Sequence, residues 1–184
     1  MNNKIGIGLC TYKRPEMLKQ CLNSIYKMNL PEDAETVVLI TDNDPAASAE
    51  STVEEFRKVT DFPVYYEMEK NRGIPFARNN IIKQGINLGI TELAFIDDDE
   101  YAEENWLVNL WNYYKQSKAD VVRGIVRTVY PKDTPEWVVK GSFYQRKIFS
   151  ENEVMTSAST NNVLFNFKKI CLEKKMLFDE NFGM

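Results

Sequence analysis

The chain has 184 residues, 43% hydrophobic and 12% aromatic, and a net charge of −4, the makeup of one soluble folded domain with a sizeable core. It lacks the basic excess of a nucleic-acid binder, and its apolar runs are strand-sized, far short of the roughly 20 residues that span a bilayer. No histidine is present, and Cys10, Cys21 and Cys171 are widely spaced, which excludes imidazole chemistry and argues against a disulfide framework or a zinc site.

Any metal must therefore be held by oxygen. The polar start Met1-Asn2-Asn3-Lys4 has none of the pattern of a secretory signal, so a cytoplasmic setting is expected.

In chain order, residues 4–10 read as a first strand, and Arg14-Pro15 opens a helix with proline in its first turn and Leu18, Leu22 and Ile25 as its buried stripe. Residues 36–41 form a β-branched and leucine run suited to a strand covered on both faces, ended by the polar turn Asp42-Asn43-Asp44-Pro45. A helix over about 47–59, a strand over 64–67, a helix over about 75–88 that stops near Gly89, and a strand over 93–96 follow. From 103 to about 118, Trp106, Leu107, Leu110, Trp111 and Tyr114 recur on one helical face, a core stripe. Residues 121–129 read as a strand, 162–167 as another with a short helix after it, and 130–159, with Pro131 and Pro135, as a long loop of the kind that carries function or moves. Strands alternating with helices predict an α/β fold, a mainly parallel sheet flanked by helices. No internal repeat or low-complexity segment interrupts it. The ending Phe182-Gly183-Met184 has neither cap nor linker composition, and reads as the end of a fragment.

The sharpest chemical feature is Phe95-Ile96-Asp97-Asp98-Asp99-Glu100, where a buried strand runs into four carboxylates, at the strand ends where open α/β sheets bind ligands. Like charges so close repel, and something must compensate them. While the chain stays extended, Asp97 and Asp99 point to one side with Cα atoms roughly 6.5 Å apart, a face suited to Mg²⁺ or Mn²⁺ shared with a phosphate. The plainer reading is a solvated acidic turn capping the helix near Glu103.

Three further features are weaker alone. Cys10-Thr11-Tyr12-Lys13-Arg14-Pro15 sets a hydroxyl, an aromatic ring and two cations at a helix start, suited to phosphate and to stacking on Tyr12. Asp42 and Asp44 follow the second strand, where a carboxylate accepts from an imide N–H or a ribose hydroxyl, or simply closes a turn. Asn71-Arg72-Gly73 and Ala77-Arg78-Asn79 bring Arg72 and Arg78, either to phosphate or to ion pairs with nearby carboxylates.

Taken jointly and in order, these features resemble the family 2 glycosyltransferases of GT-A fold, over nearly the whole chain. The matching residues are Thr11 to Pro15 with Leu18 and Leu22, Asp42-Asn43, Gly73 with Ala77-Arg78-Asn79, and Asp97-Asp98-Asp99, which resembles the DXD motif. Ser159-Thr160-Asn161-Asn162 and Phe178-Asp179-Glu180-Asn181-Phe182-Gly183 resemble the family's later strand and the turn after it. The resemblance implies a Rossmann-type nucleotide-binding fold in one domain over 1–184, with 1–100 as the nucleotide-binding half and 101–184 as the start of an incomplete acceptor-side half. It also implies inverting, metal-assisted transfer of a sugar from a nucleotide-diphosphate donor, most often a UDP-sugar, to a hydroxyl of a carbohydrate or other acceptor. Thr11, Tyr12, Arg14 and Asp42 would contact the nucleotide, Asp97 and Asp98 the sugar side, and Asp99 the Mg²⁺ or Mn²⁺.

In one respect the chain departs from the family pattern: it stops before the Gly-rich segment whose acidic pair supplies the general base. Asp179 and Glu180 are its last carboxylates and weak candidates for that role, so donor binding with weak or absent transfer is expected. A sugar-nucleotide nucleotidyltransferase would need a glycine-rich loop after the first strand, and residues 11–15 hold no glycine. A nucleotide-sugar-binding module without turnover stays open. A phosphoryl-accepting receiver domain does not suit the length or Asp42.

Overall fold

A computed structural model describes residues 3–150 and 153–182; Gly183 and Met184, which complete the expected final turn, lie outside the described residues. Six strands, β1 (Asn3–Thr11), β2 (Ala34–Asp42), β3 (Val64–Met68), β4 (Glu92–Ile96), β5 (Val121–Arg123) and β6 (Asn162–Asn166), form one sheet in the order β3-β2-β1-β4-β6-β5. β1 is parallel to β2 and β4, β2 is parallel to β3, and β6 runs antiparallel to β4 and β5. The helices are α1 (Pro15–Lys27), α2 (Glu50–Arg57), α3 (Ile74–Leu88), α4 (Trp106–Ser117) and α5 (Glu136–Lys140), with a π-helical turn over Lys168–Glu173. The expected mixed, mainly parallel sheet between helices is the one observed.

Apolar side chains cover both faces of the sheet. Val38 and Ile40 of β2 pack with Leu18, Leu22 and Ile25 of α1 and with Leu107 and Trp111 of α4 on one side. Val37 and Leu39 pack with Ile81 and Ile82 of α3 and with Phe167 on the other. Alternate residues of one strand thus serve opposite cores, as an unbroken apolar run requires. Removing each such Leu or Ile side chain from water contributes about 1.5–3 kcal/mol. α3 begins beside Gly73, whose φ of 144° side chains rarely adopt, and ends at Gly89 as expected.

Two expectations need correcting. β5 stops at Arg123 instead of 129: residues 121–123 pair with β6, and the Gly124 amide makes a last bond to the Asn162 carbonyl at 3.0 Å. At that point the Asn162 side chain donates to the Ile125 carbonyl at 3.0 Å and turns the chain away. A Cβ on Gly124 would lie 2.2 Å from Asn162 Oδ1, so the close approach requires glycine. Residues 136–140, expected as loop, form α5.

Parallel pairing brings the carboxyl ends of β1, β2, β3 and β4 to one edge. The reversed β6 contributes its first residues to it, with Asn162 opposite Ile96. The connections diverge between β1 and β4, which makes their ends the switch point of the sheet.

Candidate functional site

The acidic run lies at that switch point, but not as an extended strand. β4 ends at Ile96, and the Glu100 amide donates to the Asp97 carbonyl at 3.1 Å, closing a turn. The expected geometry of Asp97 and Asp99 on one side of a continuing strand is therefore corrected. Asp98 faces inward, accepting a 2.7 Å hydrogen bond from the Thr11 hydroxyl that ties the end of β4 to the end of β1.

The repulsion within the run is compensated by cations of the chain itself. Arg14 Nη1 is 3.5 Å from Asp98 and 3.1 Å from Asp99, and Arg78 Nη2 is 3.8 Å from Asp97. Arg14 can reach because Lys13 takes a left-handed φ of 55° just before α1. Burial nevertheless outweighs these cations and raises the pKa of Asp97 and of Asp98 above the ordinary carboxylate value, making both weaker acids. Glu100 goes furthest, to about 7, by burial and by the charges of Asp97 and Asp99, against a 2.7 Å hydrogen bond from Asn161.

Asp42 is fully buried. Its carboxylate accepts from the amides of Asp44 and Ala49 at 2.9 Å and from the Tyr66 hydroxyl at 3.0 Å. Those three bonds hold the turn that follows β2. Asn43, beside it, donates to the carbonyls of Glu69 and Asn71 and accepts from the Gly73 amide at 2.8 Å. That clamp carries Arg72 to Tyr12, with the guanidinium 5.2 Å from the ring centroid and Lys13 at the same distance.

Arg78 links the acidic turn to the last described residues, since it also stands 5.5 Å from the Phe178 ring centroid. Asn79 next to it clasps the Phe178 backbone in both directions, at 3.0 and 2.9 Å, and reaches Glu180 at 3.4 Å. Asp179 lies in a cleft of ≈ 320 Å³ with Arg78, Phe178 and Phe182. Thr11, Arg14, Arg78, Asp97, Asp98 and Asp99 are thus brought together; Tyr12 and Arg72 form a neighbouring pair; Asp179 and Glu180 approach through α3. A wider groove of ≈ 560 Å³ beside Asp33 and Trp111 lies away from the acidic turn and is lined by none of its residues.

The family model for glycosyl transferase family 2 matches residues 7–180. The chain belongs to that family. It is 35% identical over 161 residues to the succinoglycan biosynthesis protein ExoM of Rhizobium meliloti (strain 1021), an alignment covering 87% of this chain and 51% of ExoM. Its fold is similar to that of S. aureus TarS 1–349 in complex with UDP, with a TM-score of 0.73 and 18% identity over 98% of this chain and 51% of that one. It is also similar to the mannosyltransferase PcManGT from Pyrobaculum calidifontis in complex with GDP-Man and Mn²⁺, with a TM-score of 0.58 and 19% identity over 67% of this chain and 35% of that one. The chain spans about half the length of ExoM and of the TarS 1–349 chain.

Seen as a family 2 chain of GT-A-like fold, its donor set can be tested against a metal. Asp97 and Asp99 are about half exposed, at 45% and 48% of their side chains. Hard carboxylate oxygens in that state suit Mg²⁺ or Mn²⁺, which take one or two carboxylates and fill the remaining positions with phosphate and water. Among the described residues, no three Cys, Asp or Glu side chains are grouped to cage an ion, so the fit is to a shared site and not to an all-protein one. No helix among the described residues is long and apolar enough to cross a membrane.

Asn43, Asn79 and Asn161 stand in the segments that carry the family resemblance, but the hydrogen bonds their side chains make were not legible there, since an amide beside a strand end or helix start is common in turns.

Proposed function

We propose that the chain binds a nucleotide-diphosphate sugar, a UDP-sugar, at the carboxyl edge of the sheet, and serves an inverting transfer of the sugar to an acceptor hydroxyl on a carbohydrate or other molecule. The observation that carries this reading is the Thr11–Asp98 bond at the switch point, with Arg14 and Arg78 spread over the acidic turn beside it. Tyr12 would stack on the base, with Arg72 behind it. Arg14 and Arg78 would exchange carboxylate partners for diphosphate oxygens, a swap suited to guanidinium forks. Asp97 and Asp98 would accept from ribose or sugar hydroxyls, and Asp42 would position the edge from within. Asp99, with Asp97, would hold Mg²⁺ or Mn²⁺, which when bound supplies positive charge to the departing nucleoside diphosphate. Asp179 and Glu180 are the carboxylates to test as proton acceptors. Three free thiols suit the reducing cytoplasm in which we place this work.

The test is a thermal-shift panel of UDP-, GDP- and dTDP-sugars with and without Mn²⁺. A UDP-sugar with Mn²⁺ at saturation should raise the melting temperature by about 5 °C, and Asp99→Ala should abolish the rise. A panel without any metal-dependent nucleotide response would sink the reading. Release of nucleoside diphosphate only when acceptor is present would separate transfer from nucleotidyl transfer and from binding alone.

A further inference from the structure

The segment between β5 and β6 returns one cation to the acidic turn. Residues 144–149 are held against 123–128: the Thr128 hydroxyl donates to the Tyr144 carbonyl at 2.5 Å, and Arg123 and Lys147 stand 5.0 and 4.7 Å from the Phe149 ring centroid. The segment is also fastened to the residues that follow β4, by Arg127 to Glu103 at 3.7 Å and by Asn161 to Glu100 at 2.7 Å. Arg146 lies on it, exposed, with its charge close enough to Asp97 and Glu100 to favour their ionised forms. Among the described residues it forms no ion pair.

The cations already on the turn do not balance it. Arg14 and Arg78 are shared among Asp97, Asp98 and Asp99, which leaves negative charge in excess before Glu100 is counted. A nucleotide-diphosphate sugar adds a charge on each phosphate, and one divalent ion offsets only those, so the excess remains when the donor is bound. Each guanidinium that turns to a phosphate also leaves a carboxylate behind. The other cations at this edge are engaged elsewhere, Lys13 and Arg72 at the Tyr12 ring, Arg127 at Glu103, and Arg123 and Lys147 at Phe149.

We propose, resting on the donor reading above, that Arg146 is a further binding residue of the site and grips the sugar-bearing phosphate of the donor. The sheet order assigns it that phosphate. Tyr12, the residue for the base, follows β1 on one side of β4, whereas the segment of Arg146 joins β5 to β6 on the other. Arg146 therefore reaches the diphosphate from the end remote from the base. A guanidinium suits the task, because its planar fork meets two phosphate oxygens together and it is more weakly hydrated than an ammonium. The plainer role, a counter-ion to Glu100, involves no phosphate.

Titration calorimetry on the whole chain with Mn²⁺ tests the proposal, with inorganic pyrophosphate, UMP, UDP and a UDP-sugar as probes. Arg146→Gln should weaken UDP, the UDP-sugar and pyrophosphate about tenfold and leave UMP, which lacks the second phosphate, nearly unchanged. Arg146→Lys should recover part of the loss, since the charge returns without the fork. Lys147→Gln, one residue along, should bind all four as the parent does. Parent-like affinities in Arg146→Gln, a loss shared equally by UMP and UDP, or an equal loss in Lys147→Gln would each overturn the proposal; the second would make Arg146 a counter-ion that only shapes the turn. The donor reading fails separately: a parent that binds pyrophosphate but no UDP-sugar, with pyrophosphate still weakened by Arg146→Gln, refutes that reading and upholds Arg146. A parent that binds no diphosphate refutes both.

Discussion

Residues 3–123 and residues 124–160 both reach the carboxyl edge of the sheet, by different means. The first reach it through paired strands whose ends are fixed by buried hydrogen bonds, such as Thr11 to Asp98 and the three donors on Asp42. The second hang between Gly124 and Asn161 with Trp137, Phe143, Tyr144 and Ile148 in solvent. Burial confers rigidity on the first length, and contact with water leaves the second free to meet something else. Pre-organised polar groups suit a small charged ligand.

The largest expected effect separates the two in stability. Leu9 is fully buried in β1, so Leu9→Ala should lower the unfolding free energy by about 3 kcal/mol through lost burial and the cavity left behind. Trp137→Ala removes a larger side chain but one already in water, and should change it by no more than about 0.5 kcal/mol. Urea denaturation of the two variants reads the contrast directly. A Trp137→Ala loss comparable to that of Leu9→Ala would show that the segment is part of the core.

A middle effect concerns Asp42. If its carboxylate serves to hold the turn after β2, Asp42→Asn should cost about 2 kcal/mol with no nucleotide present, because one of the three internal donors loses its acceptor. A variant as stable as the parent but blind to UDP-sugars would instead return Asp42 to direct contact with the base or ribose.

The same contrast explains what the amino-acid sequence displayed. Where a local period and a tertiary partner agree, the elements were legible: the stripe of α1, the doubly covered run of β2 and the stop at Gly89 each follow from nearest neighbours in the chain. Legibility failed where a distant side chain decides. Residues 121–129 alternate like a strand, yet Asn162 ends the pairing after Arg123. The acidic run had the composition of a ligand site, but its turn depends on Thr11 and Arg14, more than 80 positions away in the chain. Pattern thus singled out the acidic run, and only packing could orient it.

Glu100 gives a test of similar size, sharper because it depends on pH, of how firmly that edge is organised. Its folded-state pKa, about 7 against an ordinary 4.5, means that the folded protein holds a proton the unfolded chain has already lost. The associated stability is complete below about pH 4.5 and disappears as pH rises through 7, so ionised Glu100 destabilises the fold in alkaline solution. After allowance for screening at a partly buried group, the cost is about 2 kcal/mol. Glu100→Gln keeps an acceptor for Asn161 and removes the charge. In EDTA, with no divalent ion to offset the acidic turn, the variant should match the parent at pH 4.5 and exceed it by about 2 kcal/mol at pH 8 by urea unfolding. A difference independent of pH would mean that the Glu100 carboxyl is solvated, and that the turn is looser than the Asn161 bond implies.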